Sequence, residues 1–168
     1  MGFLAVFIMN EFENCKNLEN GKFVTCAVVI IDNDGNILAC HSTGRKENEG
    51  YDFPKGMAYA DETDLQAATR ELREETGLEL TEAELSHVCD CGIHKHNKEK
   101  DIHIFIYPVD SFPSIDSLKC TSYFEQYGKQ VPEVESFAIL SPKERYKFNR
   151  VLQNKFDMID GLNKRLRR

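Results

Sequence analysis

Residues 56–78 read GMAYADETDLQAATRELREETGL, and their pattern predicts a capped helix with carboxylates along one edge. Thr63 followed by Gln66 is a capping-box pair, which starts the helix just after Thr63. The alanines, leucines, glutamates and arginines that follow all favour helix. Gly77 can take the left-handed conformation that closes a helix, with Leu78 folding back as the accompanying apolar contact. Glu71, Glu74 and Glu75 fall at i, i+3 and i+4, so they share a face. Leu65, Ala68 and Leu72 form an apolar stripe roughly a quarter-turn away, at about 100° per residue. The acids therefore lie at the rim of the buried face.

Like charges crowded along a helix face repel one another and raise each other's pKa. A bound dication offsets that repulsion, and an oxygen-only ligand set suits Mg²⁺ or Mn²⁺. A glutamate run by itself reads as a solvated acidic surface. Glu71, Glu74 and Glu75 framed by Gly56, Arg70 and Gly77 read instead as a metal site.

The rest of the chain supplies a scaffold for this segment. Its 168 residues fit one domain, residues 1–168, long enough to bury a core. A net charge of −7 argues against a protein that coats nucleic acid. The apolar N-terminus, Gly2 to Met9, is too short to span a membrane and reads as an edge strand. Six cysteines without a Cys-x-x-Cys pair read as reduced thiols in the cytoplasm. Cys89, Cys91, His94 and His96 cluster, but their spacing favours ordinary strand residues over a zinc site.

Phe23 to Ile31 is a continuous apolar run, predicted to be a strand buried on both faces, with Ile37 to His41 returning as its hairpin partner. Leu85 to Ile93 and Ile102 to Val109 read as strands, joined by the basic connection His94 to Asp101. Residues 111–132 read as irregular, with a short helix between Ser117 and Tyr127. Phe137 to Leu140 forms a last short strand. Ser141-Pro142-Lys143-Glu144 then caps a closing helix whose apolar face carries Leu152, Phe156 and Ile159. The expected class is α/β, a mixed sheet between helices.

Gly56, Glu62, Arg70, Glu71, Leu72, Glu74, Glu75, Gly77 and Leu78 stand at the fixed points of the Nudix box, so the chain resembles the Nudix hydrolase superfamily. The resemblance covers roughly residues 22–160 and implies an α/β/α sandwich. It implies a divalent-metal hydrolase that cuts a phosphoanhydride bond in a nucleoside diphosphate linked to another group. Glu71, Glu74 and Glu75 match the family's metal-binding glutamates, with Mg²⁺ or Mn²⁺ as cofactor. Arg70 matches the arginine that orients a catalytic glutamate, and Glu62 matches a loop-bracing one. Glu71 and Glu75 are candidate bases within the box, while Glu133 and Glu135 lie where many members carry a further functional glutamate.

Substrate-binding candidates are Gly56, Lys55 and Arg45. Phe53-Pro54-Lys55-Gly56 resembles the box entry of dinucleoside polyphosphate hydrolases and of diphosphoinositol polyphosphate hydrolases. Lys55 would supply a point charge for phosphate. Arg45, Lys46, His94, Lys95, His96 and Lys98 would extend a cationic rim. The tyrosine and proline that mark two substrate classes beyond the box are both missing, since Ile93 to His96 occupy that place. A dinucleoside polyphosphate or related nucleotide leads as substrate. Inositol pyrophosphate, an RNA 5′ end and a silent nucleotide-sensing module follow it.

Overall fold

The computed structural model describes residues 14–168, so the expected N-terminal edge strand at Gly2–Met9 lies outside the described residues. Strand β1 (Phe23–Ile31) is buried along nearly its whole length, as its unbroken β-branched run requires. Alternation divides its side chains between two cores. Ala27, Val29 and Ile31 face one core, with Ile102, Ile104, Phe148, Leu152, Phe156 and Ile159. Val24, Cys26, Val28 and Ile30 face the other, with Ala67, Ala68 and Leu72 of the box helix. The sheet therefore separates two helical layers, the α/β/α arrangement.

Six further strands complete that sheet: β2 (Ile37–Ser42), β3 (Tyr51–Asp52), β4 (Lys55–Met57), β5 (Cys89–Lys95), β6 (Lys100–Pro108) and β9 (Val134–Leu140). The main order is β3-β2-β1-β6-β5, with β4 on β1 and β9 on β2. Only the β1–β6 pair is parallel among these ladders, which makes the sheet mixed. Helix α1 is the box helix (Asp64–Thr76). Helix α2 (Glu82–Leu85) follows, and α3 (Phe156–Leu166) closes the chain.

Three local expectations are corrected. Leu85 ends α2 and the strand begins only at Cys89, because Thr81 and Glu84 form a second capping box that holds the chain helical. The short helix expected between Ser117 and Tyr127 is absent: a single 3₁₀ turn (Ile115–Ser117) precedes a hairpin of β7 (Tyr123–Gln126) and β8 (Lys129–Pro132). Tyr127 and Gly128 both have positive φ, 51° and 76°, as a two-residue hairpin turn demands. The capping box at Ser141–Glu144 starts a 3₁₀ segment (Pro142–Lys147) instead of the closing helix, which begins at Phe156. Cys26, Cys40, Cys89, Cys91 and Cys120 are free thiols. Burial pushes the Cys26 thiol up to about 12, as befits an inert core residue. Among the described residues no helix is long and apolar enough to cross a membrane.

Candidate active site

The box helix is positioned by its caps. Thr63 Oγ1 accepts the Gln66 N–H (3.1 Å) and Gln66 Oε1 accepts the Thr63 N–H (2.9 Å). Gly77, at φ 81°, closes the far end by donating to the Arg73 carbonyl. Ala67, Ala68 and Leu72 bury one face against β1. That rotation leaves Glu71 and Glu75 buried at the sheet edge, while Glu74 is more open, its side chain 34% exposed.

Arg70 is the hub of the acids. It forms a fork on Glu62, Nη2 to Oε1 at 2.7 Å and Nε to Oε2 at 3.1 Å. Its Nη1 donates to Glu71 Oε1 (2.8 Å) and Glu74 Oε2 (3.2 Å), and Nη2 also donates to the Met57 carbonyl (3.0 Å). The guanidinium lies 4.3 Å from the centre of the Tyr59 ring. Glu62 in turn accepts the Tyr59 N–H (2.8 Å), so it braces the loop between β4 and α1.

Gly56 makes room for this geometry. A Cβ there would overlap the Glu71 carboxyl, so only glycine lets that group lie against β4. Burial raises the Glu71 carboxyl to about 7 against the opposing pull of Arg70, with Glu74 and Glu133 adding to the rise. Burial likewise raises Glu75 to about 8, with Lys55 opposing and Glu71 and Asp52 reinforcing. Like charge reaching Glu71 and Glu75 from several neighbours, through oxygen donors alone, is the environment that a hard divalent cation relieves. Among the described residues no three acidic, histidine or cysteine side chains already converge as a ready-made cage. Arg70 bridges Glu71 and Glu74 instead, so an ion at this site would share those two carboxylates with it.

A cleft of about 370 Å³ opens beside the helix. Glu75, Gly56 and Glu133 line its acidic part, and Arg45, Lys55, His96 and Lys100 supply cations. All three expected substrate-binding residues, Lys55, Arg45 and Gly56, thus reach one cavity. Lys55 is not a free charge, however. Its ammonium pairs with Asp52 (2.9 Å) and its N–H donates to Glu75 Oε2 (3.2 Å). Burial opposes its charge, yet Asp52 and Glu75 outweigh that and hold it above the ordinary lysine range. Asp52 went unremarked in the sequence, although its i, i+3 relation to Lys55 is the signal that reveals it.

Glu133 and Glu135 separate. Glu133 lines the cleft, with its Oε2 accepting from Ser122 Oγ (3.1 Å). Glu135 pairs instead with His41 Nδ1 (2.7 Å). The cause is a register shift: Ser42 faces Val134 and His41 faces Ser136, which leaves Glu135 as the extra residue of a bulge. Of the expected rim, His96 joins the cleft with Lys100, whereas His94 turns back to the Cys91 carbonyl (2.7 Å).

The description "NUDIX domain" fits residues 21–151 of this chain. An uncharacterized 17.7 kDa protein of Enterobacteria phage T4 is 28% identical over 134 residues, 76% of this chain and 87% of that protein. The CTP pyrophosphohydrolase of Escherichia coli K12 is 32% identical over 95 residues, 54% of this chain and 65% of that enzyme. Among solved structures, a bifunctional NMN adenylyltransferase/ADP ribose pyrophosphatase from Francisella tularensis, complexed with AMP and a Mn ion, superposes with a TM-score of 0.54. It is 19% identical and matches 98% of this chain, which spans 46% of its length. With the box helix capped as described, its glutamates gathered on Arg70, and the family's domain matched over residues 21–151, the chain belongs to the Nudix family.

Proposed function

We propose that this chain, as one Nudix domain, hydrolyses a phosphoanhydride bond of a nucleoside polyphosphate, dinucleoside polyphosphates included, with Mg²⁺ or Mn²⁺ held by Glu71, Glu74 and Glu75. The observation that carries this reading is a cleft that joins Glu75 and Glu133 to Arg45, Lys55, His96 and Lys100. One wall suits cations and the other suits phosphate oxygens. The relative named for CTP pyrophosphohydrolysis supports a nucleoside triphosphate among the substrates. A divalent ion, when bound, neutralises phosphate charge and makes water more acidic.

The chain's own residues do the rest. Arg70 fixes the Glu71 and Glu74 carboxylates, and the Lys55 N–H fixes Glu75. Arg45 and Lys100 draw the polyphosphate into the cleft and hold it against them. Glu133, oriented by Ser122 Oγ, takes the proton of the attacking water from the cleft wall. Glu135 serves the fold through His41.

Phosphate release should be measured on CTP, ATP, diadenosine tetraphosphate, ADP-ribose, triphosphorylated RNA and an inositol pyrophosphate. The expected outcome is turnover of nucleoside polyphosphates that EDTA abolishes and Mg²⁺ or Mn²⁺ restores. Full turnover in EDTA, or turnover of the inositol compound alone, refutes the proposal.

A further inference from the structure

The β7–β8 hairpin leads directly into Glu133 of the cleft wall, and the chemistry above makes no use of it. Its ladder continues one step beyond the two strands, where the Glu133 N–H donates to the Ser122 carbonyl (3.0 Å). Ser122 Oγ also donates to Glu133 Oε2, so those two side chains share one face of the hairpin. The paired residues alternate from there. Phe124 opposite Val131, and Gln126 opposite Lys129, lie on the Glu133 face, while Tyr123 opposite Pro132 and Glu125 opposite Gln130 lie on the other. Glu133 lines the cleft, so the Phe124 face extends outward from a lining residue, with Phe124 itself beyond the lining.

Phe124 is the diagonal neighbour of Glu133, a relation that sets the two residues about 7–8 Å apart, their Cβ atoms somewhat closer. The residue is well exposed for a phenylalanine, at 38%. The base of the hairpin is tied to the loop that carries Arg45: Thr43 Oγ1 donates to the Pro132 carbonyl (2.5 Å) and the Thr43 N–H to that of Glu133 (3.1 Å). An aromatic ring is thus fixed one step outside a cleft of carboxylates and cations, with Lys129 further out on the same face. A ligand matching that sequence of surfaces has a phosphate chain at one end and a flat, weakly polar ring at the other.

We infer that Phe124 is the base-stacking residue of the substrate site, and that the nucleobase of a nucleoside polyphosphate lies on its ring while the phosphates reach Glu75 and Glu133. This rests on the nucleotide reading and names the specificity element of the same site. Every base has a π-face, so the contact selects nucleotides over other polyphosphates without choosing among bases.

Calorimetric binding of α,β-methylene-ATP and of base-free tripolyphosphate, both with Mg²⁺, tests the inference. Phe124→Ala should weaken the nucleotide about 5- to 150-fold, the equivalent of one base–aromatic stack, and leave tripolyphosphate unchanged. Phe124→Trp should restore binding, whereas Phe124→Leu, which keeps the apolar packing of the hairpin, should not. Tyr127→Asn, which relaxes the left-handed turn at the hairpin tip, should bind as the unaltered protein does. Equal losses on both ligands, or wild-type affinity in Phe124→Leu, overturn the inference. A native protein that cuts nucleotides while Phe124→Ala binds them normally overturns the inference alone. A native protein that binds no nucleotide overturns the nucleotide reading with it.

Discussion

Gly56→Ala separates chemistry from stability at this site. The added methyl would occupy the volume of the Glu71 carboxyl, and that carboxyl is the free end of a flexible side chain, so the side chain moves and the backbone stays. Stability does not suffer from that move. A buried carboxyl raised from 4.5 to about 7, with the pull of Arg70 already included, returns to water. At neutral pH that relief is on the order of 3 kcal/mol, so Tm should hold or rise. Catalysis has no such compensation, because a displacement of about 1 Å at a reacting centre costs on the order of 10²-fold. Turnover of ATP with Mg²⁺ should therefore fall by about that factor or more, with no fall in Tm. Near-native turnover in a folded Gly56→Ala protein would mean that Glu71 has no role where it lies. A collapse of Tm with lost activity would mean that the backbone, not the side chain, gives way.

Glu133→Gln should lower kcat by about 10²- to 10⁴-fold, the range for losing a general base, whereas Glu135→Gln should retain activity; the opposite ranking, in parallel kinetics, would move the base to Glu135. Metal-free protein should lose stability as pH rises from about 4.5 to about 8, because the folded state keeps the Glu75 proton across that window and the unfolded state does not. Glu75→Gln lessens this slope, leaving the part that Glu71 contributes between about 4.5 and about 7, and slows catalysis; melting curves in EDTA that stay parallel for the two proteins would refute the assignment. Lys55→Ala should weaken long and short polyphosphates alike, since its charge is committed to Asp52 and Glu75, and should destabilise the fold by about 3–5 kcal/mol by leaving Asp52 buried without its ion-pair partner. A loss confined to tetraphosphates, measured as kcat/KM on diadenosine tetraphosphate and ADP-ribose, would show that Lys55 meets the chain directly.

The box helix and β1 were legible because their information is local. Caps, helix periodicity and an unbroken β-branched run each act within a few residues, so Thr63, Gln66, Gly77 and the Glu71–Glu74–Glu75 face could be placed from spacing alone. The hairpin was hidden because a Tyr127–Gly128 turn lacks the asparagine or aspartate that usually announces positive φ, and its aromatic residues suited other structures as well. The separation of Glu133 from Glu135 was also unreadable. Two residues apart, they should share a face, and only the bulge against His41 and Ser42 in β2 turns one into the cleft and the other onto His41. Sequence by itself determined where the capped helix lies and which of its faces carries Glu71, Glu74 and Glu75. Tertiary structure alone decided which of them meet in one cleft, because strand register and the pairing of buried charges such as Lys55 with Asp52 depend on chain segments that sequence spacing does not relate.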